Sequence, residues 1–166
     1  MNRYRFDFGS KPVEEGYIKI TGDSIYSESV GYGITSSAES CVRKSGEKPV
    51  YRDFLYMAGN GFKVRLDNGR YNVRVCAGDY EDNGDVAVKI LINGNRFGMW
   101  VSDRSVCEGE YKVDVVDGIM EFTFEGRYVC ICAIDIAPVL TEKLGSINQS
   151  VQVSPEHASV ELSWDA

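Results

Sequence analysis

Apolar and polar residues alternate along most of this chain with a period of two. The pattern is clearest between Gly61 and Asn93, where Phe62, Val64 and Leu66 alternate with Lys63, Arg65 and Asp67, as in a strand with one buried face. Asn68-Gly69 follows, a dipeptide suited to a two-residue turn whose central residues need positive φ. A hairpin there predicts Leu66 opposite Tyr71, Val64 opposite Val73 and Phe62 opposite Val75, all facing inward. The same register sets Lys63 across from Arg74, a mildly unfavourable pair of like charges. After a loop from Gly78 to Gly84, a third strand turns Val86, Val88, Ile90 and Ile92 inward and ends at a second Asn-Gly turn, Asn93-Gly94.

The alternation extends in both directions. Upstream, Tyr4, Phe6 and Phe8 point inward against outward Arg3, Arg5 and Asp7, in a first strand stopped by Gly9 and Pro12. A short strand at Tyr17 to Ile20 follows. From Thr21 to Pro49 the period dissolves into Ser, Gly, Glu and Tyr, the mark of a long loop that carries function or short structure of its own. Val50 to Met57 reads as a strand or a partly buried crossing segment. Downstream, Arg96 to Val101 is a strand, and Glu110 to Val115 with Ile119 to Phe124 reads as a hairpin around Val116-Asp117-Gly118. Tyr128 to Ala137 closes the series with a near-continuous apolar strand. About eight to ten strands, with no amphipathic helix between them, predict an all-β fold over residues 1–139. An antiparallel β-sandwich of the jelly-roll type, with the first strand beside the last, fits best. Residues 140–166 are polar and read as linker and tail. Their ending, SVELSWDA, resembles the second strand of a fibronectin type III module, which predicts the truncated start of a further domain; the alternative is an extra strand packed on the sandwich.

A chain of 166 residues with 43% hydrophobic content can bury one substantial core. A net charge of -7 opposes a nucleic-acid partner, since phosphate binding needs a basic footprint. No apolar run approaches the length of a membrane-spanning helix, so no membrane partner is expected, and MNRYRFDF lacks the apolar stretch of a signal peptide. The five cysteines include no CxxC pair and are expected mostly as small buried apolar residues, with disulfides left open. The single histidine, His157, sits in the polar tail, which excludes a histidine-based triad or a multi-histidine metal site.

The segments RFDFGS, GY, SESVGYG, YRDFL, F-x-V-x-L-x-NGRYNVRVCAGD and VDVVDGIMEFTFEG occur in this order between Arg3 and Val139. Together they resemble the N-terminal β-sandwich module of secreted pectin-active enzymes, such as SGNH-type rhamnogalacturonan acetylesterases. The resemblance implies a galactose-binding-like fold, akin to malectin and to carbohydrate-binding module families 6 and 35. It further implies a non-catalytic carbohydrate-binding role in an extracellular bacterial protein that degrades pectin or related plant cell-wall polysaccharide, beside an adjacent catalytic domain in a longer chain. No Gly-Asp-Ser-Leu block is present, so the chain is expected not to be an enzyme. Two departures bear on the loops: Asp67 stands where the family usually has proline, and an unusually polar ITSSAESCVRKSGEKP follows the GYG segment.

Sugar binding needs a flat aromatic face for the C–H side of a ring and planar polar groups around its hydroxyls. In the folds this chain resembles, ligands often sit where inter-strand loops converge, which makes Tyr32, Arg52, Asp53, Asp79, Tyr80 and Asn83 site candidates, with Trp100 beside them. Alternatively, Tyr32 and the Arg52-Asp53 pair brace the long loop, and the module is a structural spacer packed on its catalytic neighbour. A second candidate is an outward cationic stripe of Lys63, Arg65, Arg74 and Lys89, suited to uronate carboxylates or else simply solvated. Relatives of families 6 and 35 hold a structural calcium ion. Asp7 and Asp135, outward on the first and last strands, are the candidates here, with backbone carbonyls completing the six to eight oxygens calcium takes. Asp79, Glu81, Asp82 and Asp85 cluster on one loop and read as a solvated turn rather than the facing carboxyl pair of a glycosidase.

Overall fold

Alternation assigns side chains to an inner or an outer face, but hydrogen bonding decides which strands are neighbours. The computed structural model describes residues 2–43, 48–81 and 84–139. Its strands are β1 (Tyr4–Phe8), β2 (Ile18–Ile20), β3 (Tyr32–Ile34), β4 (Ser40–Val42), β5 (Asp53–Tyr56) and β6 (Gly61–Arg65). They continue with β7 (Gly69–Asp79), β8 (Val86–Ile92), β9 (Asn95–Val101), β10 (Ser105–Val115), β11 (Ile119–Glu125) and β12 (Cys130–Pro138). Among the described residues the helical content is one 3-10 turn, Pro49–Tyr51. The twelve strands exceed the eight to ten expected because the segment from Thr21 to Pro49 supplies the short strands β3 and β4.

Two sheets face each other. The larger runs β10-β7-β12-β1-β2, with β5 pairing the start of β12 and β4 outside it; the smaller runs β3-β6-β11-β8-β9. As expected, the first strand lies antiparallel to the last, with Phe6 opposite Ile134 and Arg5 opposite Asp135. Among the described strands one pairing is parallel, β1 with β2, and an isolated bridge from Ile25 to Ile34 is parallel too.

The two expected hairpins on either side of the core are corrected. β6 pairs with β3 and β11, whereas β7 pairs with β10 and β12 in the other sheet. Asn68-Gly69 therefore arches from sheet to sheet, and so does Val116 to Gly118 between β10 and β11. Inward side chains of an arch meet across the core, those of a hairpin meet side by side, and the alternation is the same in both. The two arches brace one another: Asn68 donates through Nδ2 to the Val116 carbonyl (2.9 Å) and accepts from the Gly118 amide (2.8 Å). Asn93-Gly94 is a true two-residue hairpin turn, with φ of 49° and 76°, joining Ile92 to its partner Asn95.

Phenylalanine rings hold the sheets together. Phe62 of the smaller sheet meets Phe6 and Phe8 of the larger edge-on, with centroids 4.9 and 5.2 Å away, and tilts against Phe122 at 5.9 Å. A second apolar cluster covers the outer face of the larger sheet, where Val50, Tyr51 and Phe54 pack over Cys76, Cys130, Cys132 and Ala133. A β-bulge between Ile131 and Ala133 re-aims the β12 side chains there. Of the five cysteines, all free thiols, Cys76, Cys130 and Cys132 are buried as expected, and Cys41 and Cys107 are half-buried. Burial pushes the Cys76 thiol up to about 11, which suppresses the reactive thiolate. The tail of residues 140–166 lies outside the described residues.

Candidate functional site

At the end of the sandwich carrying the two arches, the segment before β3, the start of β1 and the arches surround an open hollow of about 570 Å³. Tyr32 forms one wall. Its ring tilts onto Phe6 with centroids 5.4 Å apart, and Tyr4 stacks on the same Phe6 at 6.2 Å with planes 3° apart. Tyr71 closes the floor, its hydroxyl donating to the Asp67 carbonyl at 2.8 Å. Polar groups ring these aromatics: Arg65, in an ion pair with Glu28, together with Asp67 and Asp117. The Gly31-Tyr32-Gly33 motif has a local cause. A Cβ on Gly33 would sit 2.4 Å from the Tyr26 amide nitrogen, and the residue adopts φ of +152°. Only glycine lets the Ser24 to Tyr26 strand-like segment close on β3 and lock Tyr32 in place.

The remaining candidates lie elsewhere. Asp53 is buried near the opposite end, where its carboxylate accepts from the Lys11 amide (2.6 Å) and the Lys19 ammonium (3.3 Å). Gly9 is the wall of that cradle, since a Cβ there would meet Asp53 Oδ2 at 2.2 Å. Asp79 is fully buried and held by Arg43 in a two-pronged pair of 2.8 and 2.6 Å, which raises the Arg43 pKa. Tyr80 packs against the outer apolar cluster. Arg52 follows the 3-10 turn, its carbonyl accepting from the Arg43 amide at 2.6 Å. Trp100, 60% exposed, stands on the outer face of the smaller sheet opposite Ala87. Asn83 lies outside the described residues. Among the six of these residues that the structure describes, the expected convergence is corrected: Tyr32 alone lines the hollow, and Asp53 and Asp79 are interior ion-pair partners. Long-range pairing put them at opposite ends, because β7 carries the chain the full height of the sandwich between Gly69 and Asp79.

The cationic stripe is likewise corrected. Lys63 and Arg65 belong to the smaller sheet, with Lys63 paired to Glu121 at 3.0 Å, while Arg74 projects from the larger. What the larger sheet builds on its outer face is a different array. Arg5, Asp135, Arg74 and Glu110 align in one cross-strand row, and Ala137, Asn72 and Lys112 in the next. Arg3 lies beside this second row and reaches Asp135 with 3.0 and 2.5 Å contacts. Sequence reasoning missed this array since it joins residues from β1, β7, β10 and β12; the one available signal was the outward Arg3-x-Arg5 on the first strand.

The calcium expectation rests on Asp7 and Asp135, and their surroundings fit side-chain cations. Asp135 is 5% exposed, hydrogen-bonded by Arg3 and Arg74 and ion-paired with Arg5. Asp7 is 1% exposed, accepts from the Glu14 amide at 3.0 Å, and lies 3.6 Å from Lys19 Nζ, the ammonium it shares with Asp53. Among the described residues no group of three or more His, Cys, Asp or Glu side chains gathers in a metal-binding arrangement. The two carboxylates thus serve separate partners, the Lys19 ammonium for Asp7 and arginine guanidinium groups for Asp135.

Two facing, mainly antiparallel sheets with an aromatic-walled hollow at their looped end define a galactose-binding-like β-sandwich module. The family described as beta-agarase/YXIM esterase-like, galactose-binding domain-like matches residues 4–125, and the chain belongs to it. It is 35% identical over 172 residues to the uncharacterized esterase YxiM of Bacillus subtilis, covering 97% of this chain and 45% of that protein. The chain therefore spans less than half the length of this relative. The crystal structure of the Bacillus subtilis YxiM protein superposes with a TM-score of 0.67 at 26% identity, over 83% of this chain and 40% of that one. A β-glucuronidase from Bacteroides uniformis shares the fold alone, with a TM-score of 0.59 at 11% identity over 84% of this chain and 18% of that one. The resemblance read from the motifs, to the galactose-binding-like module of an esterase, holds.

Proposed function

We propose that this chain is the non-catalytic glycan-binding module of a longer esterase, and that it holds saccharide in the hollow beside Tyr32. The observation that carries this reading is the hollow itself: tyrosine rings anchored on Phe6, with Arg65, Asp67 and Asp117 spaced around them. An aromatic face takes the C–H side of a sugar ring, and rim carboxylates and guanidinium groups take its hydroxyls. Since Tyr32 is braced by the core, little side-chain order is lost on binding. Pectic or related plant cell-wall polysaccharide as the target, and an extracellular setting, belong to the same reading and are supported by the motif resemblance. The esterase chemistry belongs to the rest of the longer chain, where a nucleophile motif absent from these 166 residues would lie.

Affinity electrophoresis against pectins, xylans and glucans tests this. Retardation by one glycan class, lost in Tyr32→Ala while the melting temperature stays within a few degrees, is the expected result. Uniform mobility across the panel would instead make the domain a spacer that packs on its catalytic neighbour.

A further inference from the structure

A second concavity lies on the outer face of the larger sheet, away from the Tyr32 hollow. It is a trough of about 450 Å³ whose floor is Asn72 and Ala137, with Lys112 on one side and Arg3 on the other. Arg74, Asp135 and Glu110 form its end. The small Ala137 side chain makes the depression; the long flanking side chains make its walls.

The electrostatics are unusual for a protein of net charge -7. Arg3, Arg5, Arg74 and Lys112 bring four cations to this face, while Asp135, Glu108 and Glu110 bring three carboxylates. Three of the cations share one buried acceptor. Asp135 accepts from Arg3 Nε at 3.0 Å and from Arg74 Nη2 at 3.3 Å, and lies 3.6 Å from Arg5 Nε, a buried donor with no hydrogen-bond partner. Arg74 also reaches Glu108 at 3.4 Å. A guanidinium carries five N–H donors and a carboxylate about four acceptor sites, so three arginines around Asp135 keep donors to spare. The buried carboxylate fixes the rotamers of its arginines, and Arg3 and Arg74 remain 50% and 33% exposed. Their outer edges are thus preorganised for a second carboxylate arriving from solvent.

We propose that this trough is a carboxylate-recognising subsite that receives a uronate unit of an acidic glycan. The inference rests on the reading of the chain as a glycan-binding module and adds to it the charge of the ligand and a second place of contact. The uronate carboxylate lies against Arg3 and Arg74 with Lys112 nearby, and the Asn72 amide meets the ring hydroxyls. Arginine suits this role, since its planar fork matches a carboxylate where an ammonium supplies only a point charge.

Calorimetric titration of the 166-residue chain with tri-galacturonic acid, its fully methyl-esterified form and neutral galactotriose tests the proposal. The acid should bind about tenfold more tightly than the ester at low salt, an advantage equal to one charge-assisted contact, and should lose most of it at about 0.5 M salt. Lys112→Glu reverses an exposed charge without touching the Asp135 network, so it should fold normally and reduce the advantage by at least about fivefold. Arg74→Gln should do the same, while Tyr32→Ala should lower affinity for acid and ester alike. Equal binding of acid and ester, or an advantage that survives Lys112→Glu, overturns the subsite. Binding of galactotriose without preference for the acid overturns the subsite and leaves the module reading standing. Binding of none of the three overturns both.

Discussion

Burial shifts the Asp7 carboxyl toward its protonated form relative to the unfolded chain. Burial raises its pKa above the ordinary 3.8, with Asp53 adding to the rise and the Glu14 amide and Lys19 opposing it. An acid with a raised folded-state pKa stabilises the fold while protonated, below its unfolded value of about 3.8, and loses that contribution as pH rises through the folded value. Asp7→Asn removes the ionisation, so its stability relative to the natural chain should improve as the pH of urea denaturation goes from 4 to 7. A relative stability that worsens over that range would mean that Lys19 outweighs burial. Lys19→Met should act oppositely. It strands two buried carboxylates and should cost about 3 kcal/mol at pH 7. The outward position of Asp7 was legible in the alternation, but its burial was not. An outward position faces away from the core only, and the segment between Gly9 and Lys19 returns to cover it, bringing the Glu14 amide to 3.0 Å.

Among the elements, glycines separate two kinds of constraint. Gly94 takes φ of +76° in open space, so Gly94→Ala meets conformational strain alone and should cost about 1 kcal/mol. Gly33→Ala adds a collision with the Tyr26 backbone and should cost about 3 kcal/mol or more, while disordering the wall that carries Tyr32. Chemical denaturation of both variants gives the comparison, and equal costs would deny the packing role of the Gly31-Tyr32-Gly33 motif. The same scale holds the clearest difference between expectation and structure. Asn93-Gly94 and Asn68-Gly69 look alike as dipeptides, yet one closes a hairpin and the other crosses between sheets. Both satisfy the inward pattern of their flanking strands. What separates them is the choice of hydrogen-bonding partner, and for β6 and β7 that partner comes from strands distant in the chain.

At the scale of the whole molecule, Phe62 is the point where the sheets meet, in contact with rings from β1 and β11. Phe62→Ala should cost about 4 kcal/mol in urea denaturation, since a rigid two-sheet core collapses poorly around a lost ring. A cost near 1 kcal/mol would mean that the sheets close over the gap. The sandwich also sets what the two concavities can do. One sits at the looped end and is walled by aromatics; the other lies on a sheet face and is walled by Arg3, Arg74 and Lys112 with Glu110 and Asp135 among them. An extended glycan can touch both only by running from the end of the sandwich onto its larger face.

Taken by itself, the sequence determined the all-β class, the inward residues of nearly every strand, the pairing of first strand with last, and the kinship with galactose-binding-like modules. Each follows from period-two alternation or from short motifs, which are local properties of the chain. Only the tertiary structure decided which strands are neighbours, which outward carboxylates are buried, and where the surface is concave. Those depend on contacts between segments tens of residues apart. Alternation fixes the direction of a side chain and leaves open what stands opposite it, so the separation of Tyr32 from Asp53 and Asp79, and the gathering of Arg3, Arg74 and Lys112 around one trough, had no local signature to read.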